Sequence, residues 1–244
     1  MTLFIRLLLA HLLGDFVFQP DSWVSEKEQK KYRSIKLYLH GLIHLLLIVV
    51  LTWQYDIIPM ALLIAGSHIV IDAVKLQRQN ERTKRVWFFI DQSLHLVVLI
   101  VAVWFIFPPD MVWQEAVEQL LIIATGVLFL LMPSSLIIKM ILSKWAPATE
   151  FKTDKIETPS LLHAGMMIGY LERILIFIFI LNGQWAAVGF LVTAKSVFRF
   201  SDLKLGQDRK LTEYILIGTL LSFGIAIVIG LLTHYALHHY YTAG

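Results

Sequence analysis

The chain of 244 residues has no cysteine and few charged residues. Without cysteine it has no disulfide, iron–sulfur cluster or thiolate zinc site, so any bound metal must be held by nitrogen and oxygen ligands. Charged residues make up only 16% of the sequence and hydrophobic residues 57%, which is typical of an integral membrane protein rather than a soluble one. The net charge of +3 is small, which argues against nucleic acid as a partner.

The sequence also lacks the short motifs of several enzyme and transporter classes. It contains no glycine-rich phosphate-binding loop and no GxSxG nucleophile motif. No sequence repeat relates its two halves, which argues against a transporter built from inverted repeats. Function must therefore be inferred from polar residues inside apolar segments.

Long apolar segments are abundant in this chain. A membrane-spanning helix needs about 20 mostly apolar residues, and eight segments approach that length. They are 3–20, 36–53, 57–76, 87–107, 117–142, 159–181, 184–201 and 211–236. These segments predict an all-α integral membrane protein with about eight transmembrane helices, in contact with a lipid bilayer. Pro133 predicts a kink in the fifth segment, because proline interrupts helical hydrogen bonding.

Basic residues occur in every second connection between the apolar segments. The loops after the first, third, fifth and seventh segments contain Lys or Arg, whereas the opposite connections contain neither. Those without basic residues are 52–59, 106–117, 182–184 and 236–244. The positive-inside rule then predicts cytoplasmic basic loops and both termini outside. The N-terminal segment has no small-residue cleavage site, so we expect it to be the first membrane helix rather than a signal peptide.

Four segments of the first half carry pairs of His and Asp residues spaced four apart. The pairs are His11/Asp15, His40/His44, His68/Asp72 and Asp91/His95. Residues at this spacing lie one turn apart on one helix face, so each pair presents two ligating groups in one direction. An Asp at the centre of a membrane helix costs about 2.5–3.5 kcal/mol on insertion scales. The predicted orientation places all four pairs at a similar depth, in the cytoplasmic half of the membrane, which indicates one shared site between packed helices.

The ligand types indicate which metals would fit. Mixed imidazole and carboxylate ligands suit zinc, iron, manganese or nickel, whereas calcium and magnesium prefer oxygen alone. Eight candidate ligands exceed the needs of one ion, so we predict two divalent transition metals bridged by an Asp, with zinc favoured and iron or manganese as alternatives. Gln19 and Gln92 are candidates either for outer partners of the ligands or for ligands themselves. A proton relay and a purely structural polar network are the competing interpretations of the same residues.

The second half carries no further pairs of this kind before its C-terminal histidines. We therefore predict a metal-binding half at 1–107 and a supporting half at 108–244. Glu172 and Arg173 lie in the sixth apolar segment, and Lys195 and Arg199 lie in the seventh. We expect Glu172 to form an ion pair with one of these three basic residues across a helix interface. The alternative is that Arg173, Lys195 and Arg199 bind an anionic phosphate or lipid head group.

The motif His11-Leu-Leu-Gly-Asp15-Phe-Val-Phe-Gln19 and the three later pairs resemble a family of bacterial inner-membrane proteins classed as a domain of unknown function. The resemblance extends from the N-terminus to about residue 105. It implies a location in the bacterial inner membrane and carries no settled activity. The segment Gly66-Ser-His68-Ile-Val-Ile-Asp72 is also similar to the His-x-x-x-Asp segment of bacterial membrane-bound metal-dependent hydrolases, although their Asp-x-Asp-His segment is missing here.

Together these features favour a membrane-embedded di-metal hydrolase acting on an anionic substrate, such as a lipid-linked phosphate, at the cytoplasmic side. Asp15 or Asp91 would be the general base, and Arg173, Lys195 and Arg199 would hold the substrate. A di-iron lipid oxidoreductase is one alternative, although clustered His-His boxes are missing. A metal or ion transporter, or a membrane sensor, is another. The apolar outer stretches at 45–51 and 96–103 argue against a transport path through the first four segments.

Overall fold

A computed structural model describes residues 2–106, 115–144, 159–203 and 209–242. All regular structure in these ranges is helical, which confirms the all-α expectation. The α-helices in these ranges are α1 (Thr2–Phe16), α2 (Asp21–Lys30), α3 (Ile35–Thr52), α4 (Ile58–Arg78), α5 (Lys84–Ile106), α6 (Glu115–Leu131), α7 (Pro133–Leu142), α8 (Pro159–Leu181), α9 (Trp185–Leu203) and α10 (Arg209–Thr242). Single turns of 3₁₀-helix at Lys31–Arg33 and Tyr55–Ile57 precede α3 and α4.

Several of these helices are suited to a membrane. Within the described part of the chain, five stretches are long and apolar enough to span one. They are Ile35–Thr52, Tyr55–Arg78, Lys84–Trp104, Glu115–Leu142 and Glu213–His238. A sixth span results if α1 and the stretch Asp21–Arg33 are taken together, but these two are bent by 79° at the break between them. The protein thus has the helices of a multi-pass membrane protein, while the total of eight spans stays a prediction.

The predicted first segment, 3–20, is shorter as a helix than the sequence suggested. Helix α1 ends at Phe16, and α2 begins only at Asp21, after Pro20. Proline lacks an N–H group and disfavours helical geometry in the residue before it, so the chain turns there. The turn brings the polar helix α2 next to the start of α3, where Ser34 Oγ donates to Glu26 Oε1 (3.2 Å) and accepts from the backbone N–H of Lys36 (3.2 Å).

The interruption expected at Pro133 is confirmed. Helix α6 ends at Leu131 and α7 begins at Pro133, which occupies its first position. Two serines replace some of the lost backbone donors: Ser134 Oγ donates to the carbonyl of Leu130, and Ser135 Oγ donates to that of Leu131 (2.9 Å). The break is therefore compensated locally by side-chain hydrogen bonds.

The chain divides into two compact units, Met1–Thr125 and Gly126–Gly244. In the first unit α1 packs on α3, α3 on α4, α4 on α5, and α5 on α1, so these helices form a closed four-helix ring. In the second unit α10 packs on α7 and α8, and α8 packs on α9. One end of the ring is filled by an apolar core comprising Leu3, Leu7, Ala10, Ile48, Ile57, Met60, Ala61, Ile64, Leu99 and Ala102.

The polarity of the four-helix ring is inverted relative to a soluble bundle. Its outer surface is apolar, with more than half of the side chain exposed at Leu46, Val50, Leu63 and Val97. Its interior, beyond the apolar core, contains most of the His and Asp residues of the four pairs. Apolar surface of this kind suits lipid, and buried ionisable residues in such a bundle are typical of functional sites. The ring thus encloses a polar site in an apolar exterior.

Candidate metal centre

All eight residues of the four pairs come together inside the four-helix ring. Successive helices run in opposite directions, so the late residues of α1 and α4 lie level with the early residues of α3 and α5. The imidazole rings are close neighbours, with centroids 3.8 Å apart for His44 and His68 and 3.9 Å apart for His68 and His95. Seven of the eight residues are buried, and Asp15 is the exception, with a half-buried side chain. The four pairs therefore form a single cluster inside the ring rather than separate polar sites.

Five of these residues form a subsite centred on one carboxylate oxygen. Asp15 Oδ1 lies 3.1 Å from His40 Nε2, 3.0 Å from His44 Nε2 and 3.4 Å from His68 Nε2. His40 Nε2 is in turn 3.3 Å from His44 Nε2 and 3.1 Å from His68 Nε2. We call this the imidazole-rich subsite; it comprises Asp15, His40, His44, His68 and His11, whose Nε2 lies 3.8 Å from Asp15 Oδ2.

These separations match those expected between ligands of a tetrahedral metal. Bonds of about 2.0–2.1 Å from zinc to nitrogen or oxygen place the ligand atoms of a tetrahedron about 3.3 Å apart. Hydrogen bonding alone explains the arrangement poorly, since a neutral imidazole has one donor and one acceptor nitrogen and several Nε2 atoms here face one another. A cation bound among them would accept electron pairs from these nitrogens. His11, Asp15, His44 and His68 could together ligate one such ion, whereas His40 groups with His68 and Asp72.

The remaining three residues form a second group, the carboxylate-rich subsite of Asp72, Asp91 and His95. His95 Nε2 lies 3.4 Å from Asp91 Oδ1 and 3.7 Å from Asp72 Oδ1. His95 Nε2 and Asp91 Oδ1 are both buried, and neither has a hydrogen-bond partner among the described residues. Buried polar atoms are rarely left without a partner, and an ion is one explanation for such a pair. His68 and His40 lie beside this group as well, since both can be combined with Asp72 as a third set of ligands.

Four further side chains form hydrogen bonds with the candidate ligands. Gln92 Nε2 donates to Asp15 Oδ2 (2.8 Å), and the Gln19 amide contacts His40 Nε2 (2.8 Å), so both glutamines lie where outer partners were expected. Sequence reasoning missed the other two. Lys27 Nζ donates to Asp72 Oδ2 (2.8 Å), and Lys75 Nζ donates to Asp91 Oδ2 (2.7 Å). Such outer partners orient ligating groups in metal sites.

A signal for Lys75 was present in the sequence. It follows Asp72 by three residues on α4, so both lie on one face of that helix. Lys27 lies in the basic stretch that follows the segment 3–20, and its contact with Asp72 depends on the turn between α1 and α2. Nothing in the local sequence indicates that this lysine points into the four-helix ring.

The two sides of the cluster differ in polarity. Towards the apolar core, a small cavity separates the imidazoles from aliphatic side chains. Its lining comprises Leu7, His11, His44, Ile48, Ile64, Ser67, His68, His95, Val98 and Leu99. Asp15 and Lys75 do not line this cavity, and their side chains are 11% and 23% exposed. A polar molecule would therefore reach the cluster from the side of Asp15 and Lys75.

In the second unit the predicted ion pair is present. Lys195 Nζ donates to Glu172 Oε2, and its ammonium group lies 5.1 Å from the centre of the Phe223 ring. Arg173 is also engaged, since Nε donates to the carbonyl of Leu130 (2.6 Å), Nη2 to Ser135 Oγ (2.7 Å) and Nη1 to Ser222 Oγ (3.3 Å). Arg173 thereby supplies donors beside the break at Pro133. The side chain of Arg199 lies outside the described residues.

The apolar end of the first unit contains an ion pair that the sequence analysis overlooked. Arg6 of α1 donates through Nε to Glu118 Oε1 (2.8 Å) and also donates to the carbonyl of Leu51. Both side chains are almost fully buried. This pair connects α6 to the four-helix ring.

Comparison with known proteins agrees with the sequence resemblance. The model of a family described as "Protein of unknown function (DUF3307)" matches residues 3–124, half of the chain, and this range includes all four pairs and Glu118. No curated protein matches the chain, and no solved structure does. The expectation of an uncharacterised family is confirmed: the chain belongs to the DUF3307 family of proteins of unknown function.

Proposed function

We propose that the first unit is a membrane-embedded hydrolase centre that holds two divalent transition-metal ions and acts on an anionic substrate such as a lipid-linked phosphate. One observation carries the proposal: five imidazoles and three carboxylates converge, and atoms of the imidazole-rich subsite are separated by 3.0–3.4 Å. Zinc suits this donor set best, and iron or manganese are the alternatives. The loop charges favour a site facing the cytoplasm in a bacterial inner membrane.

The two subsites suit different roles. Structural zinc sites are closed by four protein ligands, whereas catalytic sites have three and leave a position for water or substrate. The imidazole-rich subsite offers a full set of ligands, and the carboxylate-rich subsite offers three. The reacting position is therefore assigned to the carboxylate-rich subsite, where a bound metal would activate water at neutral pH. Asp91 is the favoured general base of the two candidates, since one oxygen of Asp15 already faces three imidazoles.

The cations of the second unit receive a different assignment. Arg173 and Lys195 both have protein partners that are not candidate metal ligands, so metal binding would not free them; this favours structural roles over substrate binding for these two residues. The substrate anion is better placed against cations of the first unit itself.

A di-iron oxidoreductase acting on lipid tails is the second candidate. The observation that favours it is the apolar cavity, which borders the imidazoles of His11, His44, His68 and His95 and would accept a small apolar molecule such as oxygen. Iron as the metal found in purified protein, together with oxygen consumption in the presence of lipid and a reductant, would favour this candidate over hydrolysis.

The proposal is tested by measuring metal content and hydrolysis together. Elemental analysis of protein purified in detergent should find up to two equivalents of a transition metal per chain, and the protein should hydrolyse phosphate monoesters. His44→Ala and Asp72→Asn should each lower metal affinity more than about 100-fold, because changes to outer partners alone cost about 10- to 100-fold. His234→Ala is the matched control, since His234 is exposed in the second unit. Full metal retention in the combined His44/Asp72 variant would contradict the metal assignment.

Gly14 provides a test in which no candidate ligand is itself substituted. A Cβ atom at this position would lie 2.4 Å from Cε1 and 2.5 Å from Nε2 of His44. Gly14→Ala should therefore displace the His44 ring and weaken metal binding on the order of 10-fold or more. Metal titration would measure the loss. Gly66→Ala is the matched control, since its added Cβ has no described atom within 4 Å outside the adjoining backbone and the residue lies in a helix of the same ring. Equal metal affinity in the two variants would argue against His44 as a ligand.

A further inference from the structure

Two lysines lie against the outer oxygens of the carboxylate-rich subsite. Lys27 is only 4% exposed, and its ammonium group contacts Asp72 Oδ2. Lys75 contacts Asp91 Oδ2, and 23% of its side chain is exposed. The two ligand carboxylates thus each have an ammonium group on one oxygen, while their Oδ1 atoms face His95.

Ammonium groups beside a metal site oppose metal binding, because like charges repel strongly where little water is present. The three carboxylates and two ammonium groups give the cluster a net charge of −1 when the imidazoles are neutral. Two divalent ions would raise this charge to +3. A buried positive charge of this size is unfavourable unless an anion accompanies it. A phosphate monoester dianion together with one hydroxide would neutralise it.

The position of Lys75 suits contact with such an anion. It lies in the last turn of α4, at the exposed edge of the cluster and away from the apolar core. Lys27 lies deeper, on α2. An anion that approached the carboxylate-rich subsite from solvent would meet Lys75 first.

We propose that Lys75, with Lys27 behind it, forms an oxyanion subsite that binds the phosphate group of the substrate beside the carboxylate-rich subsite. The inference rests on the proposed function, because without metal the two lysines only balance the carboxylates. Once metal ions share the charge of Asp72 and Asp91, the ammonium protons are free to turn to phosphate oxygens. The subsite takes a phosphate dianion, either free or as the head group of a lipid.

The test measures equilibrium binding of radiolabelled inorganic phosphate to metal-loaded protein in phosphatidylcholine nanodiscs, with metal content determined on the same samples. Lys75→Met should weaken phosphate binding about tenfold or more and leave the metal content unchanged. Lys75→Arg, which keeps the charge, should retain most of the binding. Lys84→Met is the matched control, because Lys84 also pairs with a carboxylate, Glu28 (2.6 Å), but at an exposed site.

Several results would overturn the proposal. Unchanged phosphate binding by Lys75→Met with its metal in place would exclude the anion role. Loss of metal from Lys75→Met would also exclude it, since the lysine would then serve only to support Asp91. If Lys75→Met does not fold, Lys27→Met takes its place, and unchanged phosphate binding by that variant counts against the subsite. A wild-type protein that binds no metal refutes the proposed function itself, which is a different outcome from metal binding without phosphate.

The source of the phosphate group is identified by competition. Nanodiscs that contain phosphatidic acid should displace inorganic phosphate if the subsite accepts a lipid head group, and they should have no effect if it accepts only soluble phosphate. Both results support an oxyanion subsite at Lys75, and they separate a lipid substrate from a soluble one.

Discussion

Asp15→Asn should abolish metal binding at the imidazole-rich subsite while leaving the helices folded. The carboxylate contributes a negative charge and the single oxygen that three imidazole nitrogens approach to within 3.4 Å. Asparagine is nearly isosteric, but it is neutral and its amide nitrogen cannot bind a metal ion. We expect the metal affinity to fall more than about 100-fold, beyond the 10- to 100-fold typical of changes to outer partners.

Metal titration by calorimetry, together with elemental analysis after dialysis, would measure this effect. Asp56→Asn is a suitable control, because Asp56 is an exposed carboxylate in the turn before α4, away from the cluster. Circular dichroism would establish that both variants remain helical. If Asp15→Asn binds metal as tightly as the control variant, the imidazole-rich subsite is a hydrogen-bonded polar network instead.

The convergence of the four pairs could be predicted from the sequence for a simple geometric reason. Spacing of four residues fixes the relative direction of two side chains within a helix, and the alternating loop charges predict that successive helices run in opposite directions. Together they place His11/Asp15 level with Asp91/His95 even though the two pairs are 80 residues apart in sequence. The ion pair of Glu172 with Lys195 was also predictable, because a carboxylate within a long apolar segment requires a nearby cation.

The division of the cluster into two subsites could not be predicted in this way. Which oxygen of Asp15 faces His40 and His44 depends on the rotation of each helix about its axis, and the packing between helices sets that rotation. Close approach of α1 and α3 at Gly14 is one such determinant, since any side chain there would collide with His44. Lys27 reaches Asp72 only because the chain turns at Pro20, and the apolar pattern of 3–20 conceals that turn.

Because the exterior of the ring is apolar, contacts within the polar cluster are important for holding its helices together. In lipid, helix association gains little from burying apolar side chains, so polar contacts and close packing contribute more to holding helices together. The His and Asp residues bridge all four helices of the ring, so a metal bound among them would also link those helices. Metal removal by a chelator should consequently affect the first unit as a whole rather than one helix.

Breaking the Arg6–Glu118 pair should strongly destabilise the first unit. Both side chains are almost fully buried, so removing one of them takes away the opposite charge that faces the other. Glu118→Leu or Arg6→Met should each lower the free energy of unfolding by about 3–5 kcal/mol, the range found for broken buried ion pairs. Unfolding of the purified protein by denaturant in detergent micelles would measure the loss.

The combined variant Arg6→Met with Glu118→Leu should recover much of this stability, because two apolar side chains of similar volume often replace a buried ion pair without net cost. Glu28→Gln is the matched control: it breaks the pair with Lys84, which is partly exposed and should contribute no more than about 1 kcal/mol. A double variant as unstable as the worse single variant would mean that each side chain acts through other contacts, such as that of Arg6 with the Leu51 carbonyl. Recovery in the double variant would instead show that the pair itself connects α6 to the ring.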